Sequence, residues 1–93
     1  MKEDDWRLSA TPAALRKEAF RGISLYKIPF SPVSEQKDHE HCVFCWDKFY
    51  CQEGFLLEGY CTAPQNEEGA DWICPECYRD FQEMFCWNLV NIE

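Results

Sequence analysis

Four cysteines stand as two Cys-x-x-Cys pairs, Cys42 with Cys45 and Cys74 with Cys77, with 28 residues between the pairs. Thiolates at this spacing close a tetrahedral zinc site. Four protein ligands leave no open position for water or substrate, so the chemistry predicted is one structural Zn²⁺. The second pair strengthens the expectation, because Cys74-Pro75-Glu76-Cys77 reads as a helix start. Proline suits the first turn, and Glu76 complements the positive end of the helix dipole. That same end lowers thiol pKa values and favours the ligand form of Cys74 and Cys77.

Other reactive residue types lie close by. His39 and His41 stand just before the first pair. Either could replace a cysteine as ligand or hydrogen-bond a ligand sulfur. The commoner arrangement for such a histidine is packing at the knuckle, bonded to backbone or to a carboxylate. Cys51, Cys61 and Cys86 belong to neither pair and are expected to act as small buried hydrophobes. No Ser/His/Asp logic accompanies the closed metal site, so the chain is not read as an enzyme.

Seven cysteines make an odd number, which fits a disulfide framework poorly. The start, Met1-Lys2-Glu3-Asp4-Asp5-Trp6, is acidic and lacks an apolar leader core. No apolar run approaches transmembrane length. A reducing cytoplasm is the expected location.

Acidic residues outnumber basic ones 17 to 9, for a formal charge of −8. Four thiolates and one Zn²⁺ would bring the loaded chain to about −10. Zinc fingers that grip phosphate are typically basic, so nucleic acid is disfavoured and a protein with a basic surface is the expected partner. One feature runs the other way: Arg7, Arg16, Lys17, Arg21 and Lys27 concentrate in the N-terminal third. The alternative is therefore a nucleic-acid-binding or regulatory zinc finger that uses this stretch. Aromatics are 16% of the chain. Most should fill the core, and a surplus rimmed by carboxylates would suit contact with another protein.

The elements that must position the cysteines follow from local pattern. Residues 1–10 read as an acidic lead-in pinned by Trp6 and Leu8. Thr11 caps a helix whose first residue is Pro12, running through Phe20 to a stop at Gly22. Residues 23–30 alternate as an edge-like strand, because Pro29 has no N–H for a ladder. A polar linker covers 31–37. After the Cys42–Cys45 knuckle, Glu58-Gly59-Tyr60-Cys61 reads as a strand, 62–69 as a turn, and 70–73 as a short returning strand. The final helix then carries Phe81, Phe85 and Leu89 inward at four-residue spacing.

Knuckle, β-hairpin, then a helix opening on the second pair: this order resembles the treble-clef class of zinc fingers over residues 39–90. The resemblance implies a zinc-stabilised finger at 39–93; with the N-terminal helix and strand of residues 1–38 packed on it, the expected fold is one small α+β domain. Asp38-His39-Glu40-His41-Cys42-Val43-Phe44-Cys45-Trp46, Glu58-Gly59-Tyr60 and Trp72-Ile73-Cys74-Pro75-Glu76-Cys77 are also similar to strings in a group of short bacterial proteins. That likeness implies a fold and a metal and no activity. Asp38-His39 resembles the start of His-metal nucleases, but there the pair lies between the two metal pairs and here it precedes both. Cys74-Pro75-Glu76-Cys77 faintly resembles a thioredoxin-type redox pair, yet too few strands are expected for that fold.

Overall fold

The computed structural model describes residues 18–90. The lead-in with Trp6 and Leu8 and the helix expected from Thr11 fall outside them, except for a single 3-10 turn at residues 18–20. The elements are β1 (Ser24–Pro29), β2 (His39–His41), β3 (Lys48–Tyr50), β4 (Glu58–Cys61), β5 (Trp72–Ile73), α1 (Pro75–Phe85) and β6 (Asn88–Val90). They build a four-stranded sheet ordered β5-β4-β1-β6 and a separate β2–β3 ribbon. The architecture is α+β, with mixed strand directions.

β1 forms where residues 23–30 alternate, but it is a central strand rather than an edge. It pairs antiparallel with β4 and parallel with β6. Proline is tolerated because of where it points. Phe30 donates its N–H to Leu57 O at 2.8 Å, so every second residue back from Phe30 turns its N–H toward β4. Pro29 turns the other way, and the pairing with β6 covers only Ser24 to Tyr26. No ladder bond is lost.

The two sheet faces carry different side chains because they alternate along β4 and β5. Tyr60 sits opposite Ile73 and Cys61 opposite Trp72. On the first face α1 packs, with Tyr78 stacked on Tyr60 at 3.8 Å between ring centres. Cys77, Phe81 and Phe85 form the buried stripe of α1. The buried Phe44 lies 5.2–5.8 Å from the rings of Phe20, Phe81, Phe85 and Trp87. On the second face, Trp72 gathers Phe30 and Phe49 at 5.3 and 5.0 Å.

Leu89 does not extend the inward stripe of α1. The helix stops at Phe85, where Cys86 takes a left-handed conformation (φ 56°, ψ 48°) and its N–H reaches back to Gln82 O and Glu83 O. Leu89 then falls in β6 and is 45% exposed. The chain turns because Trp87 anchors it, donating its indole N–H to Phe20 O at 2.7 Å. Neither β6 nor the β2–β3 ribbon follows from local pattern. His39-Glu40-His41 has no apolar alternation, so its strand character comes from pairing with Lys48–Tyr50.

Candidate metal centre

Each cysteine pair is delivered by a different device. The first sits on a turn leaving β2, closed by Trp46 N–H donating to Cys42 O at 2.9 Å and Cys42 N–H to Asp47 O at 2.8 Å. Trp46 itself adopts φ 73°, the left-handed region that favours glycine. Val43 N–H donates to Trp72 O at 3.0 Å, lashing this turn to β5. Two residues beyond Trp72, Cys74 serves as N-cap of α1, with Pro75 in the first turn. Its sulfur accepts the Cys77 N–H at 3.4 Å. The Cys74 N–H in turn donates to Cys42 Sγ at 3.3 Å, so backbone donors at the helix start reach sulfurs of both pairs.

The ligand-type sulfurs of Cys42, Cys45, Cys74 and Cys77 all lie within 4.8 Å of one another, and Cys45 and Cys74 are 3.5 Å apart. A tetrahedral zinc with bonds near 2.3 Å sets its sulfurs about 3.8 Å apart. The donor set and its spacing therefore fit a metal ion. Three of the four are buried and Cys45 is half-buried.

Four close thiols cannot all ionise without a cation. Cys42 takes the charge, its pKa lowered to about 2 by hydrogen bonds from the Cys74 and Cys77 thiols. Those same bonds hold the donors protonated and outweigh the lowering expected from the helix start: Cys74 is pushed up to about 12, and Cys77 strongly upward. Burial raises Cys45. A divalent cation reverses this balance, because it makes the thiolate the favoured form of every ligand.

Neither histidine joins the four sulfurs. His39 Nδ1 lies 3.0 Å from Asp38 Oδ1, and the His41 ring packs 4.9 Å from that of Trp46. This is the knuckle-packing arrangement, with a carboxylate partner. Burial lowers the pKa of His41.

Among the remaining cysteines only Cys61 behaves as expected, fully buried in β4 with its thiol pushed up by burial. Cys51 and Cys86 are exposed, which corrects the expectation of buried hydrophobes. The reason is local. Cys51 begins the turn after β3, with its sulfur toward Phe30 O at 3.6 Å. Cys86 is the left-handed cap that ends α1, with its sulfur toward Glu83 O at 3.7 Å rather than into the core.

What sequence reasoning missed at this centre is the strained residue after Cys45. A glycine at position 46 would have flagged the left-handed position, and a tryptophan conceals it. No family model, curated protein or solved structure matches the chain.

Proposed function

We propose that the chain is a non-catalytic, zinc-stabilised module that binds another protein. One structural Zn²⁺ on Cys42, Cys45, Cys74 and Cys77 closes a treble-clef-like finger. The observation that carries this reading is the four-sulfur cluster itself. Its donor number fills a zinc ion's coordination and leaves no position for a substrate. The treble-clef assignment draws on element order: knuckle, the β4–β5 hairpin, then α1 with the second pair in its first turn. Thiols that hold zinc belong in a reducing compartment such as the cytoplasm.

The partner reading draws on charge. At −8 before metal is counted, the surface favours a basic protein and disfavours polyanions. An inhibitor or immunity-type factor that covers a partner's nucleic-acid-binding surface has this character. The nucleic-acid alternative rests on little that is described: Arg7, Arg16 and Lys17 lie outside the described residues, Arg21 pairs with Glu18 at 3.4 Å, and Lys27 is exposed on β1. Elemental analysis of chelator-free protein tests the metal, with one zinc per chain expected and well under one overturning it. A mobility-shift titration tests the partner class. Micromolar binding to arbitrary duplex or single strand, lost in Arg16/Lys17/Arg21 alanine variants, would replace this reading with the nucleic-acid one.

A further inference from the structure

The register of the ribbon collects one unusual surface. His39 pairs with Tyr50 and His41 with Lys48, so these four side chains share a face. Glu40 and Phe49 share the other, where Phe49 is fully buried. Two loop aromatics extend the outer face. The Trp46 ring packs on His41, and the Phe55 ring meets Tyr50 edge-on at 5.4 Å. Lys48 Nζ sits over Tyr50 and Phe55 at 4.8 and 5.3 Å from their centres. Trp46 is 57% exposed and Phe55 40%.

Trp46 is the informative member. A bulky aromatic in the left-handed region is strained, and glycine would make the same turn at less cost. Core packing does not explain the choice, since over half the side chain stays in water. Strain held at an exposed aromatic, within a run of aromatic and imidazole rings, is what a binding anchor looks like.

Charge selects the occupant. Asp47 follows Trp46 and borders a recess of about 410 Å³ with Lys48, Gly54, Phe55 and Leu56. Asp38 lies at the His39 end, with one oxygen against the His39 ring and its side chain still half-exposed, and Glu53 is exposed in the turn before Phe55. Lys48, the one lysine or arginine of this face, is already engaged by two rings. A second copy of the chain, an anionic membrane and a nucleic acid would each bring more negative charge to these carboxylates. A protein surface bearing arginine or lysine beside an apolar residue is complementary to them. Its guanidinium can lie over an aromatic ring while pairing with a carboxylate.

We propose that the outer face of the β2–β3 ribbon, anchored by Trp46 and rimmed by Asp38, Asp47 and Glu53, is where a basic protein partner docks. This rests on the protein-binding reading above and gives it a location. The test pans a random dodecapeptide library against the full zinc-loaded chain and runs an oligo-dT titration in parallel. Selected peptides should carry arginine or lysine next to an apolar residue. Trp46→Gly should weaken them at least tenfold while its urea midpoint stays at or above that of the parent, which separates lost binding from lost folding. Trp46→Phe should recover part of the affinity. Asp47→Asn combined with Glu53→Gln should slow association at low salt. Basic peptides that bind Trp46→Gly undiminished would overturn the face and leave the protein-binding reading standing. A library with no Trp46-dependent binder overturns the face as well. Oligo-dT binding that Trp46→Gly abolishes would overturn both.

Discussion

The two sides of the central sheet lean on apolar burial to different extents. On the α1 side, Phe44, Phe81, Phe85 and Trp87 form a ring cluster with Phe20, and all five are buried. The β2–β3 ribbon has six residues, and Phe49 is the buried one among them. Apolar burial accounts for the first side. The second buries a smaller ring set, Phe30, Phe49 and Trp72, and its short ribbon is tied down further through the turn after β2, by the Val43–Trp72 bond and the sulfur cluster that reaches the start of α1. A short chain rarely builds a core large enough to fix every layer, and a metal on the four sulfurs would add hold where the core is thinner.

Removing the metal is the strongest way to break this contrast. A structural zinc contributes about 10 kcal/mol or more in finger peptides, comparable to the whole stability of a small domain. Chelation or Cys77→Ser should therefore unfold at least residues 40–90, since Cys74 and Cys77 also begin α1. A cooperative, near-parental thermal melt would show that apolar packing suffices on both sides. The same centre predicts a pH dependence. Cys74 and Cys77 are held protonated by their bonds to Cys42, and Cys45 by burial. Zinc must displace those protons, so affinity rises with pH and falls as pH drops. Competition with a chromophoric chelator at several pH values measures the loss, which should exceed about tenfold per unit because more than one proton is displaced.

Phe44 tests whether the sides are independent. It stands between Cys42 and Cys45, yet its ring belongs to the α1 cluster. Phe44→Ala should cost about 3–5 kcal/mol in urea denaturation of the zinc-loaded chain. A loss below about 1 kcal/mol would place the whole burden on the metal.

These two cases also mark what was legible. The cysteine pairs, the β4–β5 hairpin and the start of α1 can be read locally, because a chelate and a helix cap use neighbours in sequence. Strand β1 is legible as a strand, but its central place depends on which way Pro29 points, and that needs the register with β4. Leu89 matches the helical period and still leaves the helix, because the left-handed Cys86 ends it first. At the site, the sulfurs were legible and Trp46 was not, since nothing about a tryptophan announces a positive φ.

A finer probe lies where the ribbon meets the sheet. A Cβ on Gly59 would come 2.5 Å from Phe49 Cε1 and 2.7 Å from Cζ, so this glycine makes room for the buried ring of the ribbon. Gly59→Ala should cost about 1–3 kcal/mol through overpacking. Phe49→Leu should relieve part of the clash, and a double-mutant cycle in urea would report the coupling. Additive losses would mean that ribbon and sheet do not press on each other there.

The smallest effect concerns Asn66, in the turn between β4 and β5. Its amide N–H₂ donates to Ser31 O at 2.6 Å, and its Oδ1 accepts the Trp72 indole N–H at 3.0 Å. One side chain thus ties the linker after β1 to the aromatic centre of the ribbon side. The linker bond is exposed and the indole bond is partly buried. An unmade bond costs more where water cannot replace the partner, so the indole bond should dominate. Asn66→Ala should lower stability by about 1–2 kcal/mol. Asn66→Asp keeps an acceptor for Trp72 but turns a carboxylate oxygen toward the Ser31 carbonyl, so it should recover only part of that loss. If Asn66→Asp is as damaging as alanine, the linker bond carries the weight, and the ribbon side is held from residues 31–37 more than from Trp72.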